Sequence, residues 1–385
     1  MKAGFRLGIY TLVAVMMSSV LTVIGSAQQK TAAPAKASGK APKDVNAPFP
    51  DEATLAKRKS DSDNRPLFAT ETPLEFTLTA DFKTVNKDRN PNSTKVFPAT
   101  MTVAKADGTQ TTFPLSIRTR GHVRRMSQTC TFAPLRLEFD TEKTKGTVFE
   151  GHKNLKLGTH CRDADLFEQY VPREYSAYKI FNLLTPRSFR ARLAKATYVD
   201  EATKKPIGNR MALFIEDDDD VARRLEGRTI ETQKLVFRQT DYDTATLMAI
   251  FEYMIGNTDM SMYLLHNVVL VQTPKKTVYP VPYDFDYSGL VDARYAIPAK
   301  QFSITSVRDR LYRGPCRTAA EFQPFFDKFN EVKPKVMELY DQIPGMDAGF
   351  RKDAQKYLEG FYSTINRPGD VKKAFIDDCN NRAGM

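Results

Sequence analysis

Apolar and polar residues alternate along Leu74-Glu75-Phe76-Thr77-Leu78-Thr79, and this period of two predicts a half-buried strand. Residues 99–104 and 111–118 repeat the pattern on either side of a turn at Ala106-Asp107-Gly108. Leu135-Arg136-Leu137-Glu138-Phe139 and Asn154-Leu155-Lys156-Leu157 continue the β-rich region. The period then changes. Between residues 164 and 184, Leu166, Tyr170, Tyr175, Tyr178, Ile180, Phe181 and Leu184 recur at helical spacing, with Pro172 placed to kink or split the helix. Residues 194–199 and 210–215 predict a hairpin turning at 204–208, and residues 241–255 predict an amphipathic helix that delivers the chain to Gly256. Short strands at 268–271 and 277–281 follow. The remainder reads as helices at 318–328, 331–343, 347–366 and 370–380, with no internal repeat.

The start of the chain has a different character. Lys2 and Arg6 precede an apolar stretch at residues 7–24, and Gly25-Ser26-Ala27 ends it with small residues, the pattern of a cleaved secretory signal over residues 1–27. A retained anchor is the alternative, since the stretch is almost long enough to span a bilayer. Residues 28–68 are rich in Ala, Lys, Pro and Ser and predict a disordered linker. The four cysteines, Cys130, Cys161, Cys316 and Cys379, suit an oxidising compartment and allow two disulfides, for which the local pairing 130–161 and 316–379 is expected. With four His and no CxxC, a Cys/His zinc site is not expected. The formal charge of +11 suits anionic surfaces or acidic substrates, but no nucleic-acid motif accompanies it, so no nucleic-acid partner is expected. The expected protein is exported, periplasmic or extracellular, monomeric, and without a stable membrane span after signal cleavage.

Candidate chemistry gathers late in the chain. Gly256-Asn257-Thr258-Asp259 through His266-Asn267, followed by Tyr283-Asp284-Phe285-Asp286, sets acids and an amide among apolar segments. Phosphoryl transfer needs such a set: Asp259 to orient or deprotonate a hydroxyl, His266 within reach of phosphate, and Asn267, Asp284 and Asp286 to hold a divalent cation on nucleotide phosphates. The same residues also read as turn and capping chemistry. Alternation puts Asp284 and Asp286 on one side of an extended segment with Phe285 on the other. Arg118, Arg120 and Arg124 flank Gly121 in a basic loop after a strand, and guanidinium groups match phosphate oxygens; a solvated basic edge is the alternative. Lys156, in a strand before the long helix, could pair with Glu174 and steady phosphates, or lie on the surface. The acids would also serve a metal-dependent hydrolase, although His ligands are lacking. No Gly-x-Ser-x-Gly elbow is present, so serine hydrolysis has no support.

The order of elements, a β-rich lobe at 69–216 and a helical lobe at 217–385, predicts an α+β, two-lobed protein-kinase-like fold. Taken with the motifs, the chain resembles the spore-coat CotH family of atypical secreted kinases from about residue 110 to 290. The quoted likenesses are Arg118-Thr119-Arg120-Gly121-His122-Val123-Arg124, Leu135-Arg136-Leu137-Glu138-Phe139, Lys153-Asn154-Leu155-Lys156-Leu157, and the Gly256 and Tyr283 segments. The resemblance implies a phosphotransferase that uses ATP with Mg2+ (or Mn2+) on a protein hydroxyl. It implies Asp259 as catalytic aspartate, Asn267 as metal ligand and Asp284 as metal-binding aspartate. Asp259 and Asn267 stand further apart than the Asp and Asn of a protein-kinase catalytic loop. A catalytically silent binding module for an envelope partner is the alternative.

Overall fold

Strand alternation builds the N-terminal half. The computed structural model describes Met1 and residues 47–105, 107–377 and 379; apart from Met1, the expected signal segment lies outside the described residues. Seven strands, β1 (Leu74–Ala80), β2 (Phe97–Ala104), β3 (Gln110–Thr119), β4 (Leu135–Phe139), β5 (Asn154–Gly158), β6 (Ala191–Asp200) and β7 (Pro206–Ile215), form a closed barrel in the order β1-β2-β3-β4-β5-β7-β6. Inward positions such as Leu78, Met101, Phe113, Ile117, Leu137, Leu155 and Phe214 share one core.

This corrects the expected two-lobed protein-kinase-like fold. The N-terminal unit is a closed seven-stranded barrel, not the sheet lobe of a kinase, and a helical region follows it. Closure depends on β1 pairing in parallel with β6, from Leu74 opposite Ala194 to Ala80 opposite Asp200. Alternation identifies which face of β1 is buried, but it does not say which distant strand lies on its second edge. Closing the sheet satisfies both edges of every strand.

Helices cover and extend the barrel. Within the stretch read as linker, α1 (Glu52–Asp63) is capped by Asp51 and joined to the body where Ser62 and Arg65 meet Asp220. A single turn, α2 (Phe82–Val85), plugs the barrel core with Phe82 and Val85. The predicted helix at 164–184 divides at Gln169 into α3 (Asp165–Glu168) and α4 (Tyr170–Leu184). Pro172 falls in the first turn of α4, where no intrahelical N–H is lost.

Next come α5 (Asp218–Arg224) and α6 (Tyr242–Ile255), the latter buried throughout from Thr244 to Ile255. A second sheet, ordered β10-β9-β8, comprises β8 (Arg228–Ile230), β9 (Val268–Gln272) and β10 (Val278–Pro282), all antiparallel. The two helices expected after residue 318 are one, α7 (Ala319–Gln342), which runs through Pro324 and Pro334. It is followed by α8 (Ala348–Ile365) and α9 (Pro368–Val371). The large core joins α4, α6, α7 and α8 with β9 and β10.

The cysteines pair as expected, Cys130 with Cys161 and Cys316 with Cys379. Two disulfides fit an exported protein. No helix among the described residues is long and apolar enough to cross a membrane.

Candidate functional site

The loop after α6 takes its shape from one glycine. Gly256 adopts φ 67°, a left-handed C-cap, and its N–H reaches the carbonyls of Glu252 and Tyr253. Asn257 then folds its side chain under the loop, and its Oδ1 accepts the Asp259 N–H at 3.0 Å. The chain closes a narrow hairpin in which the Ser261 and His266 backbones exchange two hydrogen bonds of 2.9 Å. Leu265 and Asn267 return it with φ values of 53° and 55°. Asp259 and Asn267 are thereby brought into contact. Asn267 Nδ2 donates to the Asp259 carbonyl at 2.8 Å and to its Oδ2 at 3.1 Å, and His266 Nε2 lies 3.1 Å from Asp259 Oδ1.

β9 and β10 carry the second acid pair to the same place. The Tyr283 N–H donates to the Asn267 carbonyl at 3.0 Å. The next residues form a turn and not the extended segment expected. Asp284 has φ 65°, and Phe285–Tyr287 make a 3-10 turn. Phe285 is fully buried against Tyr178 and Phe251, with ring centroids at 4.7 and 5.3 Å, and this packing anchors the turn. The Asp284 N–H donates to the Tyr178 hydroxyl at 2.9 Å.

The basic loop reaches across from the barrel. After β3, the Arg120 N–H is held by the Pro134 carbonyl, Gly121 turns at φ 84°, and Val123–Arg125 make a 3-10 turn. Arg89 donates to the Arg125, Cys130 and Thr131 carbonyls, and the Cys130–Cys161 disulfide ties the loop end to the chain after β5. So held, Arg120 Nη2 lies 3.8 Å from Asp284 Oδ2, and Arg124 Nη1 lies 3.8 Å from Asp286 Oδ2 and 4.0 Å from Glu174 Oε2. The Tyr295 hydroxyl donates to Asp286 Oδ2 at 3.0 Å.

Two expected members sit differently. Arg118 pairs with Glu138 across β3 and β4, away from the acid pair. Lys156 is buried, pairs with Asp218 and not with Glu174, and lies 4.9 and 4.7 Å from the ring centroids of Phe189 and Tyr283. Through Tyr283 it borders the site without touching its acids. Glu174 instead faces Arg124.

Crowded, buried acids shift one another. Burial, then the Asp284 charge, pushes the Asp286 carboxyl up to about 7, against the pull of Arg124 and the Tyr295 hydrogen bond. Burial, then Asp286 and Asp284, holds the Glu174 carboxyl well above its ordinary range. Burial opposes the charge of Arg120 and Arg124, but the surrounding acids and tyrosines outweigh it and raise both guanidiniums. The His266 imidazole is raised by its hydrogen bond to Asp259, despite desolvation.

Four carboxylates, Asp259, Glu174, Asp284 and Asp286, thus face two guanidiniums and one histidine. With Nδ2 of Asn267 engaged by Asp259, its Oδ1 is the atom left to offer a cation. The donors are all oxygens and the acids outnumber the bases, which is the donor chemistry a hard divalent cation prefers; among the described residues no group of three or more His, Cys, Asp or Glu stands close enough together to hold a metal ion as it is. Motif reasoning does not single out Tyr178 or Tyr295 as site residues. Asn257 falls inside a segment that also reads as turn chemistry, and Tyr178 reads as an apolar helix position. No local pattern marks Tyr295. No protein-family model matches the chain, and no curated protein matches it.

Proposed function

We propose that the protein is an exported phosphotransferase that moves the terminal phosphoryl group of a nucleoside triphosphate, with ATP the expected donor, onto a protein hydroxyl. One observation carries this reading: Asp259 and Asn267 touch each other, the Tyr283 N–H ties that pair to the turn bearing Asp284 and Asp286, and Arg120 and Arg124 face those two acids. A site of this kind can be built on unrelated folds, so the reading does not need the architecture of a kinase.

Asp259 takes the acceptor hydroxyl. Its carboxylate is steadied by His266 and Asn267, yet its side chain remains 38% exposed and within reach of a substrate. The acceptor oxygen bonds to the terminal phosphorus, the bond from phosphorus to the bridging oxygen breaks, the nucleoside diphosphate leaves with that electron pair, and the hydroxyl proton passes to Asp259. Arg120 and Arg124 face the transferring oxygens, and their fixed positions offer charge without reorganisation. Asn267, Asp284 and Asp286 would hold Mg2+, which neutralises phosphate charge when bound.

The test is transfer of label from ATP to the protein itself and to a panel of envelope proteins. Asp259→Ala should lower transfer about 10²- to 10⁴-fold, and Asp284→Ala should abolish the thermal shift produced by MgATP. No transfer and no nucleotide-dependent thermal shift in the wild type would refute the reading.

A second reading is a catalytically silent binding module at the envelope. The observation favouring it is that the acids already have protein partners: Asp259 with His266 and Asn267, Asp286 with Tyr295 and Arg124. Partner capture unaffected by Asp259→Ala and Asp284→Ala would select it.

A further inference from the structure

Beneath the Asp259 loop lie two polar side chains that the phosphotransfer reading does not use. Glu252 and Asn257 are each 3% exposed. Glu252 stands one helical turn before Gly256 at the end of α6, and its carbonyl accepts the Asn257 N–H at 2.8 Å. Neither carboxyl oxygen of Glu252, nor Asn257 Nδ2, has a partner in good hydrogen-bonding geometry. The Asn257 amide is nevertheless near enough to act on the Glu252 carboxyl. The other end of that amide, Oδ1, holds the Asp259 N–H at 3.0 Å. Asn257 therefore stands between the Glu252 carboxyl and the main chain of Asp259, bonded to the second and open towards the first.

We propose that Glu252 is a positioning residue for Asp259, acting through the Asn257 side-chain amide. The proposal rests on the reading of Asp259 as the hydroxyl-facing carboxylate. An open donor and open acceptors buried side by side carry a free-energy penalty unless they serve something, and here they flank a strained loop that carries an acid. Burial holds the Glu252 carboxyl up to about 8, with Asn257 and Arg313 drawing it down and Asp259 raising it. Arg313 is the base on this face, and its Nη1 straps the Thr258 and Met260 carbonyls at 2.7 Å each. When Glu252 ionises, it draws the Asn257 Nδ2–H towards itself. The polarised amide then accepts the Asp259 N–H more strongly.

The test follows the Asp259 backbone amide by NMR in the full chain as pH rises from about 6 to about 10. The wild-type amide proton should move downfield with an inflection at about pH 8, and Glu252→Gln, which keeps size and polarity but cannot ionise, should flatten it. A flat wild-type curve, or the same inflection in Glu252→Gln, overturns the proposal. This arm needs no turnover, so it stands or falls separately from phosphotransfer. Where transfer is measurable, Glu252→Ala should lower kcat about tenfold or more with KM for ATP unchanged, and Glu252→Gln should recover most of it. Equal kcat in all three proteins also overturns the proposal.

Discussion

Replacing Asp286 by Asn separates what the acid cluster does from what it costs. Asp286 is 6% exposed, and its carboxyl titrates at about 7 in the folded protein against 3.8 for an unburied Asp. The folded state therefore holds this proton more tightly than the unfolded chain does. The contribution to stability is complete below the unfolded value and is lost as pH rises through about 7. The gap between 3.8 and about 7 corresponds to roughly 4 kcal/mol. Asparagine cannot ionise, yet its carbonyl oxygen can still accept the Tyr295 hydroxyl. Glu174, held up partly by the Asp286 charge, also loses a repulsive neighbour. In urea unfolding at a series of pH values, the wild type should lose roughly 4 kcal/mol more than Asp286→Asn between about pH 4 and about pH 8. The variant should be the more stable protein at neutral pH while losing any MgATP-induced shift, a trade expected where acids are gathered for a ligand. Parallel pH profiles for the two proteins would refute the reasoning, because they would mean that Asp286 ionises without penalty.

Two further outcomes follow from the same geometry. Gly256→Ala places a Cβ 2.1 Å from the Tyr357 hydroxyl and 3.2 Å from the Val307 carbonyl at φ +67°, so it should destabilise the protein by about 2–4 kcal/mol, read as a lowered Tm; an unchanged Tm would count against the loop's close packing. Removing the Cys130–Cys161 bridge by paired serine substitution should cost about 4 kcal/mol for a separation of 31 residues. It should also raise amide exchange across residues 120–129, and exchange unaltered there would show that the side-chain contacts of Arg89, Arg125 and Arg162 hold the basic loop without the bridge.

Most elements were legible because each has a periodic apolar face of its own. The alternation in β1 to β5 and the hairpin of β6 and β7 are local patterns, and each predicted strand is present within a few residues. The barrel was not legible. Its closing seam joins Leu74 to Ala194 and Ala80 to Asp200, and nothing in either strand names the other. Both strands read equally well as neighbours in an open sheet, so order along the chain suggested the wrong architecture. The α7 helix shows the converse error. Separate helices are expected at 318–328 and 331–343, yet Phe322, Phe326, Phe329, Val336 and Tyr340 make one buried stripe that runs across the expected gap and past Pro324 and Pro334, and that packing overrides the local penalty of the prolines.

The site was legible as residue types and illegible as distances. Asp259 and Asn267 stand eight positions apart, further than the Asp and Asn of a protein-kinase catalytic loop. The intervening residues form a hairpin closed by Ser261 and His266, so the additional chain is looped out and the flanking side chains meet at 3.1 Å. Its tip exposes Tyr263 at 44% and Leu264 at 52%, where the lengthening does not disturb the acids. Loop length measures chain, whereas chemistry depends on which side chains the loop's ends bring together. Lys156 shows the opposite case. It had the expected strand position, but the Asp217-Asp218 turn at the start of α5 lies closer to it than the long helix does, so Asp218 takes its charge and Arg124 takes Glu174. The acids therefore depend on the arginine loop, and on the disulfide and Arg89 contacts that hold it, for their counter-charge. Perturbing that loop should change the protonation of Asp286 and Glu174 before it changes anything in the Asp259 hairpin.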